Sequence, residues 1–119
     1  MKKIIGIAIV LIASLNLKAQ NQIEGKIKPG QRAVIIEDLI STGNSALTAA
    51  TALKQADCVV EHCLAIFNYN MPVSQPQFQS QQIQLYCLAN FSDMTTYALE
   101  NSIINTDDQQ ALLAWHQSL

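Results

Sequence analysis

The 119-residue sequence predicts an α/β fold built on a parallel sheet. Three observations carry that expectation. Short runs rich in β-branched residues, such as Ile4 to Val10 and Ala33 to Ile36, are apolar on successive positions, as in strands covered on both faces. These runs alternate with segments of helical spacing, the order that right-handed βαβ crossovers need. Hydrophobic residues make up 50% of the chain and charged residues 13%, which suffices for the core of one modest domain and excludes a disordered acidic tail.

The elements follow in order. Met1 to Gln20 has two lysines, an apolar run from Ile4 to Ala13, and Ala19 near its end. Taken alone it has the layout of a secretory signal peptide, and its apolar run is too short to cross a bilayer comfortably. Ile4, Ile5, Ile7, Ile9 and Val10 equally suit a buried parallel strand, and periodicity does not separate the two readings. The turn Lys28-Pro29-Gly30-Gln31 leads into a central strand, Arg32 to Glu37, followed by a loop from Asp38 to Asn44. Ser45 to Gln55 is an alanine-rich helix whose Leu47, Ala50 and Leu53 form one narrow apolar stripe. Ala56-Asp57 ends it, and Cys58 to Phe67 reads as a second buried strand running into the loop Asn68 to Pro72. Ser74 to Gln84 is rich in glutamine and predicts a short surface helix anchored by Phe78 and Ile83. A strand pattern occupies Ile83 to Leu88. Ser92-Asp93 and Thr106-Asp107-Asp108 are helix starts before Met94 to Glu100 and Gln109 to Gln117. Ala111, Leu112 and Trp115 supply the docking stripe of the last helix.

A formal net charge of -2 excludes nucleic-acid binding through bulk positive charge. Cys58, Cys63 and Cys87 are odd in number and lack CxxC spacing, so they read as buried thiols rather than a disulfide framework or zinc ribbon. His62 and His116 have no metal-ligand spacing to them and are assigned packing or surface roles. Trp115 is expected in the core, Tyr69 as a lid past a strand end, and Lys26, Lys28 and Arg32 as solvated charges.

Chemistry concentrates in Ile35 to Leu47, IIEDLISTGNSAL, where a strand ends in two carboxylates and passes through small residues into a helix. Ligands of open α/β sheets sit beyond such strand ends. Ser41, Thr42, Gly43, Asn44 and Ser45 offer successive amides, three hydroxyls and the positive end of a helix, which together form an anion cradle suited to a phosphate monoester. The plain alternative is an ordinary strand-to-helix turn with Ser45 as N-cap. Neither GxxxxGK[ST] nor GxGxxG is present, which argues against ATP and NAD.

These residues resemble the phosphoribosyl-pyrophosphate (PRPP) motif of the type I phosphoribosyltransferases, and EDLISTG resembles its version in the orotate phosphoribosyltransferase family. The resemblance is collinear in several blocks over Asn21 to Trp115: Asn21-Gln22-Ile23-Glu24-Gly25, Lys28-Pro29-Gly30-Gln31, Ala65-Ile66-Phe67 with Tyr69, and Leu112-Leu113 with Trp115. It implies a phosphoribosyltransferase-like core over residues 21–119, behind an apolar segment 1–20 that is either a remnant of the first core strand or a signal peptide. Ile4-Ile5-Gly6-Ile7-Ala8 is similar to that first strand.

By the same resemblance, Glu37 and Asp38 face the ribose 2- and 3-hydroxyls as the catalytic carboxylates. Thr42, Gly43, Asn44 and Ser45 hold the 5-phosphate, with Ser41 at the edge. The implied reaction joins PRPP to orotate, giving orotidine 5-phosphate and pyrophosphate in pyrimidine biosynthesis. Mg²⁺ is bound mainly through PRPP, with no protein metal site. The resemblance also implies a homodimer with small-molecule substrates; PRPP is not found outside the cell and free thiols fit a reducing compartment, which favours the cytoplasm, and neither nucleic acid nor membrane is expected as partner. Three departures accompany the match: Asn44 stands where the family has Gly or Lys, Asn68 and Asn70 stand where it has Thr and Gly, and the fold is expected to be incomplete, with the hood and the catalytic-loop lysine and histidine unmatched. Only Leu15 to Ala19 occupies the place of that loop, and Lys18 is no substitute. The alternatives are a non-catalytic PRPP- or nucleotide-binding module, or a small exported protein if residues 1–19 are a signal.

Overall fold

Among the described residues, four strands lie side by side in sequence order and pair in parallel: β1 (Ile7–Ile12), β2 (Arg32–Ile40), β3 (Val59–Asn68) and β4 (Gln84–Asn90). The structure is a computed structural model that describes the backbone of residues 7–12 and the whole of residues 28–119. Expectations resting on Ile4 to Gly6, Ala13 to Ala19, Asn21 to Gly25 and Lys26 lie outside the described residues. Helix α1 (Asn44–Gln55) joins β2 to β3 and α2 (Ser74–Ser80) joins β3 to β4, so the predicted βαβ order stands. Helices α3 (Phe91–Glu100) and α4 (Thr106–Gln117) follow the last strand. No described helix is long and apolar enough to cross a membrane.

The strand order decides where the core lies. Crossovers of one hand through strands that never reverse order place their helices on the same face of the sheet. On that face α1 buries Ala46, Leu47, Ala50 and Leu53 against Ala33, Ile35, Cys63 and Ala65, and α2 adds Phe78 to the same cluster. The alanines let the helix approach the sheet closely, as their spacing predicts. The opposite face of β3 and β4 is open: Ile66 is 59% exposed and Leu88 87%, with Leu64 and Tyr86 beside them. This corrects the expectation that Cys58 to Phe67 is covered on both faces. An apolar run shows that a strand is present but not what lies over it, and here burial alternates along β3.

Other boundaries also shift. Strand β2 continues through Asp38 to Ile40 because Leu39 and Ile40 still pair with Phe67 and Asn68 of β3, so cross-strand pairing overrides the poor strand propensity of the acids. Helix α2 stops at Ser80, Gln82 turns left-handed at φ 57°, and the Ile83 amide donates to the Phe78 carbonyl at 3.0 Å. Phe78 and Ile83 are both buried anchors, as expected. Helix α3 starts at Phe91, capped by Asn90 whose Oδ1 accepts from the Asp93 amide at 3.0 Å. Asn105 caps α4 and forms a reciprocal capping box with Asp108.

The expected docking stripe of α4 is not found: no residue of the helix is buried, and Trp115 is 50% exposed rather than core. Helix α4 instead meets the rest of the protein through Phe91, whose ring lies 6.1 Å from Trp115 and stacks at 4.4 Å on His116. Of the cysteines, Cys58 and Cys63 are buried as expected but Cys87 is exposed. A thiol reagent should therefore modify Cys87 at once in the native protein, and Cys58 and Cys63 only on addition of denaturant. Loss of the fast phase in Cys87→Ser checks the assignment.

Candidate active site

The carboxyl ends of β2 and β3 are tied together where the Tyr69 amide donates to the Ile40 carbonyl at 2.9 Å. From Ile40 the chain turns through Ser41, Thr42 and Gly43 directly into α1. Gly43 adopts φ 88° and ψ 0°, a left-handed conformation that costs glycine nothing. It also sits against the Phe78 ring, where a Cβ built on Gly43 would lie 2.7 Å from Cε2. The N-cap is therefore Gly43 rather than Ser45, and the helix starts at Asn44.

The first backbone bond into the helix runs from the Leu47 amide to the Gly43 carbonyl at 3.0 Å, so the amides of residues 44 to 46 lie at the open end of the helix. Thr42 Oγ1 accepts from the Asn44 amide at 3.4 Å, a long contact that an incoming acceptor can displace. The first turn of α1 carries no acidic side chain to neutralise the helix end. Ser41 and Asn44 are exposed, Thr42 and Ser45 half-buried, and Gly43 buried. All five residues singled out in the sequence thus fall within one turn around a helix N-terminus, an arrangement that favours an anion.

The two carboxylates are separated. Side chains of neighbouring strand residues point to opposite faces, so Asp38 is exposed while Glu37 faces the core and is only 2% exposed. Neither Glu37 oxygen has a hydrogen-bond partner in good geometry. Burial first, and the charge of adjacent Asp38 second, push the Glu37 carboxyl from 4.5 up to about 7, outweighing a backbone contact from Asp38. Burial, with the charge of Glu37 as a smaller cause, pushes the neighbouring Cys63 thiol up to about 12. Among the described residues no cluster of three or more His, Cys, Asp or Glu could hold a metal ion.

The loop after β3 completes the rim. Asn68 is buried and its Oδ1 accepts from the Asn70 amide at 2.9 Å, which stabilises the left-handed turn at Asn70, φ 54°. Tyr69 is half-buried, its ring edge-on to Phe67 at 5.3 Å, and its carbonyl is bonded by His116 Nε2. The part of His116 in this rim was not foreseen from the sequence, where no local signal links position 116 to position 69.

Comparison with known proteins bears on this site. No family model matches the chain. It is 44% identical over 98 residues to orotate phosphoribosyltransferase of Coxiella burnetii, covering 82% of this chain and 47% of that one. The Bacillus subtilis enzyme of the same name is 42% identical over 98 residues, covering 82% and 45%. The chain thus spans about half the length of the curated relatives it matches. In structure it is similar to UMP synthase of Leishmania donovani, with a TM-score of 0.68 at 21% identity over 81% of this chain and 21% of that one. Orotate phosphoribosyltransferase from Aeropyrum pernix gives 0.53 at 18% identity over 64% and 43%. The chain is thus homologous to the orotate phosphoribosyltransferases over about half their length, and it shares the fold of the two solved structures.

Proposed function

We propose that the chain binds the ribose 5-phosphate group of PRPP and serves its transfer to orotate, giving orotidine 5-phosphate and pyrophosphate. The observation that carries this reading is the glycine-hinged start of α1, which gathers Ser41 to Ser45 around an un-neutralised helix end beside the exposed Asp38. The amides and hydroxyls of the cradle hold the 5-phosphate. Asp38 meets the ribose hydroxyls and stabilises positive charge as it builds on the ring oxygen and anomeric carbon. Glu37, turned inward, backs this strand end rather than touching the sugar. Mg²⁺ when bound neutralises the departing pyrophosphate. With Asp38 the single exposed acid at the strand end, the donor set suits an ion held mainly by phosphate oxygens and water. The same reading assigns the protein to pyrimidine biosynthesis in the cytoplasm, as a homodimer.

The test mixes the purified chain with PRPP, Mg²⁺ and orotate, while following ribose 5-phosphate binding by calorimetry and pyrophosphate release. Saturable binding with turnover is the expected result, and Asp38→Asn should slow turnover about a hundredfold with little change in phosphate affinity. Binding without pyrophosphate release would assign the chain to a PRPP-binding module. No binding would reject the cradle.

A further inference from the structure

We propose that His116 is a positioning residue for the ligand cradle, acting from the terminal helix through the backbone of Tyr69. The inference rests on the reading of Ser41 to Ser45 as a sugar-phosphate site. A carbonyl oxygen accepts only, so His116 must carry a proton on Nε2 to bond Tyr69. Its ring is fixed flat against the buried Phe91, at 4.4 Å between centroids and 10° between planes, so the donor is held in one direction. On the other side of the same residue the Tyr69 amide donates to the Ile40 carbonyl at 2.9 Å, and the next residue in the chain is Ser41. Tyr69 is thereby clamped between the last turn of α4 and the point where the cradle leaves β2.

The surrounding contacts make the clamp stiff. Asn68 Oδ1 accepts from the Asn70 amide at 2.9 Å, a bond that bridges the two residues flanking Tyr69. Its ring lies edge-on against Phe67, with 5.3 Å between centroids. Movement of α4 would pass through Tyr69 to Ile40, a buried residue with little room to absorb it. Helix α4 buries no side chain of its own, so its contribution lies in this directed contact more than in core volume.

Two substitutions separate the donor from the ring. His116→Phe keeps an aromatic ring on Phe91 but cannot donate, whereas His116→Gln gives up the stack and retains an N–H of similar reach. We expect His116→Phe to bind ribose 5-phosphate about tenfold more weakly and to move the amide resonances of Ser41 to Ser45 in the ligand-free protein. His116→Gln should restore most of the affinity and most of the resonance positions. A role in packing alone predicts the reverse order, with Phe like wild type and Gln impaired, and that result would overturn the proposal. So would cradle resonances unmoved in His116→Phe, or an unfolded Phe variant alongside a Gln variant that folds but shows shifted cradle resonances. If wild type fails to bind ribose 5-phosphate, the sugar-phosphate reading fails by itself, and the ligand-free resonances still decide whether His116 sets the loop.

Discussion

Gly43→Ala should unfold about 3 kcal/mol more easily than wild type and bind ribose 5-phosphate at least tenfold more weakly. Two separate costs add. A left-handed φ of 88° costs an alanine roughly 1–2 kcal/mol. The new Cβ also meets Phe78 Cε2 at 2.7 Å, and Phe78 is fully buried, so relief requires repacking at a cost of about 1–3 kcal/mol. Any relief that rotates the Gly43 peptide turns the amides at the start of α1 away from one point, which is the source of the expected affinity loss. Phe78→Leu separates the two costs. In Gly43→Ala with Phe78→Leu the steric part should be recovered while the backbone part remains, giving a coupling of about 1–2 kcal/mol in a double-mutant cycle. Urea unfolding and calorimetry on the four proteins make the measurement. A Gly43→Ala protein with wild-type midpoint and affinity would remove Gly43 from the cradle and Phe78 from its support.

What was readable in the sequence was local in origin. The stripe of Leu47, Ala50 and Leu53 depends on spacing within one helix, and it packs on the sheet as spaced. Ser41 to Ser45 are contiguous, so a strand before them and a helix after them were enough to bring them together. Phe78 stood out as an apolar residue among glutamines, and its burial followed, but its partner Gly43 lies 35 positions away by subtraction of their numbers and no pattern joins them. The open face of β3 and β4 depends on strand order, which no single segment encodes. The same is true of α4. Its apolar residues have helical spacing, yet the helix is held at the sheet's end by Phe91 and Tyr69 rather than laid on a core. The separation of Glu37 from Asp38 was in principle legible, because neighbouring strand residues face opposite ways. Strand propensity alone ends the strand at Glu37, whereas the three further residues come from pairing with β3.

Between pH 4.5 and 8 the wild-type protein should lose stability, and Glu37→Gln should not lose this part of it. The sign follows from the direction of the shift. An unfolded glutamate ionises near 4.5, whereas in the fold Glu37 holds its proton to about 7. Across that interval the folded state binds more protons than the unfolded one, so raising the pH favours unfolding. Below 4.5 both states are protonated and the group contributes no penalty. Above about 7 the penalty is complete, and the gap between the two values corresponds to ~3 kcal/mol. Glutamine is nearly the same shape and never ionises, at a fixed cost of about 1 kcal/mol for a buried amide without a partner. The urea midpoints should therefore cross: wild type at or above the variant at pH 5, and the variant more stable by about 2 kcal/mol at pH 8. Cys63 is no rival source of this slope, because its thiol stays protonated to about 12. Parallel pH profiles for the two proteins would mean that Glu37 finds solvent or a partner in the folded state. Its carboxylate would then be available at the strand end beside Asp38, and both acids would face the sugar.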